Sequence, residues 1–355
     1  FRRLVAMHGP IPVSRYMGES NAHYYAARDP LGAPREADGG DFVTAPEISQ
    51  MFGELIGLWL ADIWSRAGAP PDPLYCELGP GRGTLAKDAL RSMARFGLSP
   101  QVHFVEGSPV LRALQAEAVP GAQFHEDVAS LPEDRPLLLV ANEFFDALPV
   151  RQQVRTDAGW RERMIGLDDG GLDDAGQGED AFRFVAGDQP MDSAVPEGWA
   201  DQPPGTIIET CPAAAAVMGE IARRLAEQGG VALIVDYGHL RHRTGSTLQA
   251  VAQHRKVDPL VRPGTADLTA HVDFAALATA ARIDGVRVLG TATQGKFLES
   301  LGIGARAAAL ARAAPERAQE VQEARERLVS PEQMGELFKV MAFAAADWPE
   351  GAGLQ

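Results

Sequence analysis

The sequence predicts an α/β fold in which a mostly parallel sheet carries helices on both faces. Short apolar segments alternate with amphipathic segments of helical length between residues 74 and 142. A glycine-rich turn, ELGPGRG (77–83), joins the first apolar segment to the helix that follows it. Parallel strands need a crossover connection, usually a helix, so both observations favour a parallel sheet.

The N-terminal part of the chain, residues 1–70, is predicted to be a helical or lid segment ahead of the sheet. Its strongest signal is TAPEISQMFGELIGLWLADIWSRAG, which begins at Thr44. Thr44 and Glu47 have the spacing of a capping box, so we expect a single helix to begin there. Apolar residues recur with the period of a helix, at positions 48, 51, 52, 55, 56, 59, 60, 63 and 64.

The first part of the predicted core covers residues 71–150. It contains short apolar strands separated by helices or helix-length crossovers, as expected for strands that are buried on both faces. The strand segments are LYCELG (74–79), VHFVE (102–106), AQFHED (122–127) and RPLLLVAN (135–142), and the helices are KDALRSMARFG (87–97) and PVLRALQAEAV (109–119).

Residues 151–208 interrupt this alternation and are predicted to be an insertion. VRQQVRT (150–156) and WRERMIGL (160–167) flank a DAG turn, which indicates a β-hairpin. The stretch GLDDGGLDDAGQGED (166–180) is acidic and glycine-rich but lacks the spacing of an EF-hand. We expect a solvated loop there rather than a calcium site.

The second part of the core is predicted over residues 209–300. The alternation resumes here, around a loop-like stretch, 239–267, that we interpret as a substrate loop. The segments are TIIET (206–210), a helix at 212–228, GGVALIVDYG (229–238), the helix HVDFAALATAARI (271–283) and the strand VRVLGTAT (286–293).

Residues 301–355 are predicted to be C-terminal helices. The last of these is SPEQMGELFKVMAF (330–343), in which Ser330 is the expected N-cap and Gln333 completes a capping box.

The composition limits the classes of partner. The formal net charge is -15 and no dense cluster of lysine and arginine is present, which argues against nucleic acid and favours a cationic partner. No apolar run approaches the roughly 18 residues of a membrane-spanning helix. Cys76 and Cys211 fit neither a disulfide framework nor a zinc spacing, and His239 and His242 lack further ligands. We therefore expect no metal, and a reducing compartment.

The glycine turn could serve three kinds of ligand. A Walker-type phosphate loop needs a lysine directly after the last glycine, but Thr84 stands there. A dinucleotide fingerprint needs glycine at the same position, and it would bring Glu77 close to a pyrophosphate. S-Adenosylmethionine carries a cationic sulfonium and an ammonium, which Glu77 would attract. The sequence favours this cofactor, which the backbone could approach at positive φ at Gly79, Gly81 and Gly83.

Two further acids stand where successive strands end. Glu106 ends the second strand, where its carboxylate can accept hydrogen bonds from both ribose hydroxyls. Asp127 follows the third strand and could accept from the adenine amino group. The alternative is a structural turn with ordinary surface acids, but acids at successive strand ends favour the cofactor.

A methyl acceptor is expected where the fourth strand ends, in NEFFDALPV (142–150), because ligands of open α/β sheets bind at the carboxyl ends of strands. Adenine and glutamine methyltransferases have an [Asn/Asp]-Pro-Pro-aromatic element here, and NEFF is similar without the prolines. Asn142 is expected in both the cofactor and the acceptor site. Glu143 suits a guanidinium, which a planar carboxylate can hold bidentately. In the alternative, both phenylalanines are core and Glu143 and Asp146 cap the next turn.

A guanidinium is protonated near neutrality and is a poor nucleophile, so carboxylates must orient it. Glu143 is the first candidate for this role, together with Asn142 and Asp146. His271, in TAHVDF, is a candidate to pass a proton, although a lone histidine is more often structural. Weaker candidates for the orienting carboxylate are Glu47, Glu209 and Asp236.

Over nearly its whole length the sequence resembles the MidA-like family, which contains the mitochondrial complex I assembly arginine methyltransferase. The motifs that carry the resemblance are GDFVTAPEISQMFGELIG (40–57), ELGPGRGTL (77–85), NEFFDALPV (142–150), VDYG (235–238), ADLTAHVDF (266–274), TQGKFL (293–298) and MGELFKVM (334–341). The resemblance implies a Rossmann-like class I methyltransferase domain, use of S-adenosylmethionine, and symmetric dimethylation of an arginine on a complex I subunit or its bacterial equivalent.

Three hypotheses of function follow. The first is a protein arginine methyltransferase, whose partner is a protein that presents the target arginine. The second is a small-molecule methyltransferase on the same fold, and the third is an assembly chaperone that binds the cofactor without methyl transfer. We expect a cytoplasmic protein in a bacterium, in contrast to the mitochondrial matrix for the eukaryotic relatives. The oligomeric state is open, with a homodimer among the candidates.

Overall fold

A computed structural model describes residues 1–27, 43–167, 182–196, 198–252, 255–282 and 286–355. The chain divides into two compact units. The first unit comprises Phe1–Phe42, Ala147–Ala214 and Arg241–His271, and the second comprises Val43–Asp146, Ala215–Leu240 and Val272–Gln355.

The helices and strands are numbered in chain order. The helices are α1 (Arg2–His8), α2 (Val13–Ala27), α3 (Ala45–Ile48), α4 (Gln50–Arg66), α5 (Thr84–Ala94), α6 (Pro109–Ala118), α7 (Pro212–Gln228), α8 (Phe274–Arg282), α9 (Gln294–Ser300), α10 (Ile303–Ala313), α11 (Ala318–Val329) and α12 (Met334–Leu337). The strands are β1 (Ile11–Pro12), β2 (Leu74–Leu78), β3 (Gln101–Val105), β4 (Gln123–His125), β5 (Leu137–Asn142), β6 (Arg151–Thr156), β7 (Gly159–Leu167), β8 (Phe182–Pro190), β9 (Ile207–Thr210), β10 (Gly230–His239), β11 (Gln249–Ala252), β12 (Arg255–Val257), β13 (Asp267–Thr269), β14 (Val272–Asp273), β15 (Arg287–Thr293) and β16 (Phe338–Ala344).

The second unit is built on a sheet with the strand order β15-β16-β10-β5-β2-β3-β4. The neighbours from β10 to β4 pair in parallel, whereas β16 runs antiparallel to both β10 and β15. Every residue of β2 and β5 is buried, which explains why both strands are mostly apolar, with Glu77 and Asn142 as the polar exceptions. The predicted α/β fold with a mostly parallel sheet is confirmed.

The strand order sets the position of the ligand crevice. From β2 the chain moves outward to β3 and β4, and it then returns to β5 on the other side of β2. Ligands of such sheets bind outside the carboxyl ends of the strands at this switch point, which here lies between β2 and β5.

The predicted helix at Thr44 is interrupted. Ser49 is extended, with φ −162° and ψ 139°, and separates α3 from α4. The Ser49 hydroxyl caps α4 by accepting from the Met51 N–H at 3.2 Å, whereas Thr44 makes no side-chain cap. The capping-box prediction was wrong because Glu47 has another partner: it accepts a hydrogen bond from the Thr84 hydroxyl at 2.5 Å.

The predicted C-terminal helix was also wrong. SPEQMGELFKVMAF forms only the short helix α12 and then β16, which lies between β15 and β10 in the central sheet. From Val340 to Ala344 every residue is buried, so the strand places apolar side chains on both faces of the sheet. Pairing with two neighbouring strands outweighs the helix-start signals at Ser330 and Gln333.

The first unit contains two smaller sheets. In one, the order is β1-β7-β6-β9 and β8 pairs with β7; in the other, it is β12-β11-β13. The hairpin predicted from the DAG turn forms from β6 and β7. TIIET forms β9, but it pairs with β6 rather than with the central sheet, and the loop expected over 239–267 contains β11 and β12. The acidic stretch beyond Leu167 lies outside the described residues.

Helices α4 and α5 approach closely at two glycines. At Gly57 a Cβ atom would lie 2.3 Å from the carbonyl oxygen of Ala89, and at Gly53 it would lie 2.8 Å from the Cβ of Asp88. Because α5 directly follows the glycine turn, this contact holds the helix to which the turn is attached.

We expect Gly57→Ala to lower the free energy of unfolding by about 1 to 3 kcal/mol, because the added methyl group meets rigid backbone. Gly219→Ala is the matched control. Gly219 lies inside α7 with nothing within 4 Å of its Cβ position, so alanine there should be neutral or stabilise by about 0.5 to 1 kcal/mol. Urea unfolding measures both. Equal stability of the two variants would contradict the close approach of α4 and α5.

Candidate active site

The glycine turn follows β2 and has the predicted left-handed backbone. The φ angles of Gly79, Gly81 and Gly83 are 58°, 56° and 78°. A Cβ at Gly79 would lie 3.1 Å from Cδ2 of Phe144, and a Cβ at Gly83 would lie 3.3 Å from that of Ala118. Side chains are excluded here by both conformation and space, so the bare backbone is available to a ligand.

Glu77 lies inside the protein rather than at the mouth of the turn, with 2% of its surface exposed. Its Oε2 accepts from the Tyr75 hydroxyl at 2.7 Å, and its carboxylate accepts from the Ala86 N–H in the first turn of α5. Burial raises the pKa of Glu77 to about 8, although both donors favour the anion. Its direct partners therefore fix α5 behind the turn, and its attraction for a cationic ligand stays a prediction.

Glu106 follows β3, at the predicted position. One carboxylate oxygen accepts from the Ser108 N–H at 2.8 Å and the other from the Gln115 amide at 3.1 Å. Burial raises the pKa of Glu106, and these donors counter that effect. A carboxylate offers about four lone-pair positions, so capacity remains for ribose hydroxyls.

Asp127 lies at the end of the β4 segment and caps a short 3₁₀ turn, Val128–Ser130. Its Oδ1 accepts from the Ser130 N–H at 2.9 Å. The buried guanidinium of Arg224 donates to the carbonyls of Leu131 and Pro132, at 2.7 and 3.1 Å, and holds the loop that follows. The contact of Asp127 with adenine stays a prediction.

The end of β5 carries a strained glutamate. Glu143 has φ 52°, in the left-handed region that non-glycine residues rarely adopt. Its N–H donates to the Val235 carbonyl at 2.9 Å. Its Oε1 accepts from the Ala45 N–H and from the Asn142 amide, each at 3.1 Å. Such strain costs of order 1 to 3 kcal/mol and is typical of functional positions.

Asn142 is 8% exposed, and its Oδ1 has no hydrogen-bond partner among the described residues. A buried carbonyl oxygen without a donor is unfavourable, so this atom is suited to an N–H donor from a ligand. Both the ammonium of S-adenosylmethionine and a guanidinium offer such a donor.

Asp236, a weaker candidate, is fully buried in the C-terminal half of β10. Its Oδ2 accepts from the N–H groups of Phe145 and Asp146 at 3.0 and 3.2 Å, and its Oδ1 from that of Tyr237 at 2.9 Å. Burial, then the charges of Asp146 and Glu143, raise the pKa of Asp236. We therefore assign it to positioning the turn after Glu143.

The two phenylalanines of NEFF lie in different surroundings. Phe145 is buried in the core, as the alternative expected, whereas Phe144 packs against Gly79.

The remaining candidates lie in other parts of the chain. In the first unit, the His271 N–H donates to the Thr247 hydroxyl at 2.8 Å, and Glu209 accepts from the Gln152 amide at 2.6 Å. In the second unit, His239 Nδ1 lies 4.0 Å from Asp273 Oδ1. Within the described ranges, no group of three or more His, Cys, Asp or Glu is placed to hold a metal, and no helix is long and apolar enough to cross a membrane.

Two contributors were missed in the sequence. The Ala45 backbone N–H holds Glu143, and the Gln115 side chain links Glu106 to the glycine turn. A backbone donor leaves no sequence signal, and a glutamine within the amphipathic helix α6 is not distinctive.

Comparison with known proteins shows which proteins this chain resembles. Residues 55–292 match the model of a family described as "Putative S-adenosyl-L-methionine-dependent methyltransferase". The chain is 38% identical to the protein arginine methyltransferase NDUFAF7 homolog, mitochondrial, of Drosophila melanogaster, over 94% of this chain and 81% of that protein. The human protein arginine methyltransferase NDUFAF7, mitochondrial, is 36% identical over 94% of this chain and 80% of its own length.

Solved structures show the same relationship. A COG1565 superfamily member from Burkholderia thailandensis, bound to S-adenosyl-homocysteine, superposes with a TM-score of 0.83 at 32% sequence identity, covering 99% of this chain and 92% of that one. A second structure of a COG1565 protein from the same organism gives a TM-score of 0.77, also at 32% identity, over 99% of this chain and 93% of that one.

We expect Gly79→Val to weaken binding of S-adenosylhomocysteine by at least about a hundredfold, because valine would displace both the backbone and Phe144. Gly97→Val is the control. Gly97 has φ 78° and nothing within 4 Å of its Cβ position, so valine there carries the conformational cost alone. Isothermal titration calorimetry measures both variants. Equal affinities would contradict the placement of the cofactor at this turn.

The raised pKa of Glu77 predicts a pH-dependent stability. Because its folded-state pKa of about 8 lies above the ordinary value of 4.5, the folded protein keeps a proton that the unfolded chain releases. Its contribution to the free energy of unfolding should fall as pH rises between these values, by up to about 1.4 kcal/mol per pH unit. Glu77→Gln has no proton to release, so urea unfolding should show wild type losing stability relative to the variant over this window. A constant difference would contradict the raised pKa.

Proposed function

Because the chain belongs to this family of S-adenosyl-L-methionine-dependent methyltransferases, we propose that it methylates an arginine side chain of a protein and forms symmetric dimethylarginine. The family membership and the cofactor, both predicted from the sequence, are confirmed. The acceptor is the proposed part.

The described residues fit the cofactor. The turn from Gly79 to Gly83 exposes backbone that a Cβ would obstruct, Glu106 lies at the next strand end with acceptor capacity, and Asn142 has an acceptor atom without a donor. We assign the methionine part to the turn and to Asn142, the ribose to Glu106 and the adenine to the Asp127 loop. When bound, S-adenosylmethionine supplies a methyl group that its sulfonium has already activated.

The observation that carries the proposal is the conformation of Glu143. It is held at φ 52° by the Val235 carbonyl and the Ala45 N–H, next to Asn142 and to Phe144, which contacts the cofactor turn. Strain of this kind persists only where the surrounding structure enforces it. It holds the Glu143 carboxylate next to Asn142, where we propose that a cationic acceptor binds.

Glu143 would act by orienting the acceptor. A carboxylate can hold two guanidinium nitrogens and draw the positive charge toward them, which leaves electron density on the third nitrogen for attack. Asp236 fixes the turn that carries Asp146, so the second carboxylate keeps its place. That His271 passes a proton stays a prediction from the sequence.

The finer parts of the proposal come from the family resemblance. We propose a subunit of respiratory complex I, or its bacterial equivalent, as the protein partner. A bacterial cytoplasmic location and a homodimer stay predictions, and the relatives from animals are mitochondrial by name.

The test combines the purified protein, S-adenosylmethionine and isolated complex I subunits or their bacterial equivalents, followed by intact-protein and fragment mass spectrometry. We expect two methyl groups on one arginine in the symmetric arrangement.

The Glu143→Gln variant tests the acceptor site. Its side chain can still accept the Ala45 N–H but carries no charge, so we expect kcat to fall by about 100- to 1,000-fold with S-adenosylhomocysteine affinity retained. Glu299→Gln, at an exposed ion pair with Arg325, is the control and should keep full activity.

Other outcomes separate the alternatives. Binding of S-adenosylhomocysteine without transfer to any subunit would support the assembly-chaperone hypothesis. Transfer to a small molecule but not to protein would support the second methyltransferase hypothesis. Full activity of Glu143→Gln would remove that residue from the acceptor site.

A further inference from the structure

Gln115, on α6, joins two parts of the cofactor site that are far apart in sequence. Its amide nitrogen donates to the Gly81 carbonyl at 2.8 Å and to Glu106 Oε2 at 3.1 Å. The residue is fully buried. One side chain therefore fixes the distance between the glycine turn after β2 and the carboxylate after β3.

The same helix holds Glu106 by a second route. Arg112, one turn before Gln115, donates from Nε to the Glu106 carbonyl at 2.6 Å and from Nη2 to the His125 carbonyl at 3.2 Å. Residues three apart on a helix share a face, so α6 presents both donors to the strand ends. Arg112 holds the backbone, and Gln115 holds the carboxylate.

Packing alone does not account for a glutamine at this position. Its Oε1 is buried without a hydrogen-bond partner among the described residues, which is unfavourable compared with an apolar side chain of the same size. The unpartnered Oε1 is unfavourable, so the reason for a glutamine here lies in its amide nitrogen. That nitrogen donates both of its hydrogens to groups of the proposed cofactor site.

We propose that Gln115 is a positioning residue for the cofactor, which ties the glycine turn to Glu106 so that the methionine and ribose parts of S-adenosylmethionine are held at a fixed spacing. The inference rests on the proposed assignment of Glu106 to the ribose. The donation from Gln115 also favours the charged, accepting form of Glu106, because it counters the rise in pKa that burial causes.

The first test is Gln115→Met, which keeps the volume and removes both donors. We expect S-adenosylhomocysteine to bind about tenfold more weakly, by calorimetry. The loss should grow as pH falls, because Glu106 without this donor takes up a proton at higher pH. The matched control is Gln294→Met: Gln294 is equally buried, donates to the Leu328 carbonyl at 2.9 Å and also has an unpartnered Oε1, but it lies in α9. The Gln294→Met variant should bind S-adenosylhomocysteine with wild-type affinity at every pH.

A thermodynamic cycle separates positioning from a general structural role. The analogue of S-adenosylhomocysteine that lacks the ribose 2′-hydroxyl is titrated into wild type and Gln115→Met. We expect the effect of the substitution to be smaller with this analogue, since part of it acts through the ribose contact. Three results would overturn the proposal. The substitution could weaken binding of the analogue as much as binding of S-adenosylhomocysteine, Gln115→Met could bind with wild-type affinity, or Gln294→Met could lose as much affinity as Gln115→Met.

The Glu106→Gln variant shows whether a negative result concerns the role of Gln115 or the assignment of Glu106 to the ribose. If Glu106→Gln binds S-adenosylhomocysteine as tightly as wild type, the ribose assignment itself is wrong. If it binds weakly while Gln115→Met does not, the assignment stands and only the role of Gln115 is rejected.

Discussion

The site depends on the parallel register of β2, β5 and β10. Leu78 pairs with Ala141, and Asn142 pairs with Val235, so the turns after β2 and β5 emerge at one edge of the sheet, beside the part of β10 that follows Val235. There Phe144 meets the glycine turn, and the Val235 carbonyl accepts the N–H of the strained Glu143. Because side chains alternate along a strand, a slip of one residue would turn these groups away from each other. The register is enforced by strands buried on both faces.

Buried carboxylates then hold the turns in place. Glu77, Glu106 and Asp236 each accept backbone N–H groups, and burial raises the pKa of all three. Their first role is to satisfy donors at turns and at the N-terminus of α5, which apolar side chains could not do. The glutamate before the glycines thus serves the architecture directly, and its attraction for a cationic ligand stays a prediction.

The elements that could be predicted from sequence are those whose signal is local. The strands of the core, the β6–β7 hairpin and the left-handed glycines follow from apolar runs, turn residues and conformational freedom. The errors share one cause. At 338–344, pairing with two strands determined the structure, and at Thr44 the capping signal failed because Glu47 bonds to Thr84 instead. Likewise no local pattern marks Gln115, whose hydrogen bonds to Gly81 and Glu106 form only when β2 and β3 are side by side.

The contact of Glu47 gives α3 a role beyond that of a helical turn. At one end of this short helix the Ala45 N–H holds Glu143, and near the other end Glu47 accepts from Thr84, the residue that follows the glycine turn. Glu143 and the residue after the glycine turn are therefore fastened to the same four residues. In the proposed reaction the attacking nitrogen must lie in line with the methyl group, so the spacing between Glu143 and the glycine turn would set how well the reactants are aligned. Glu47 contributes to that spacing through its contact with Thr84, and its role as an orienting carboxylate stays a prediction.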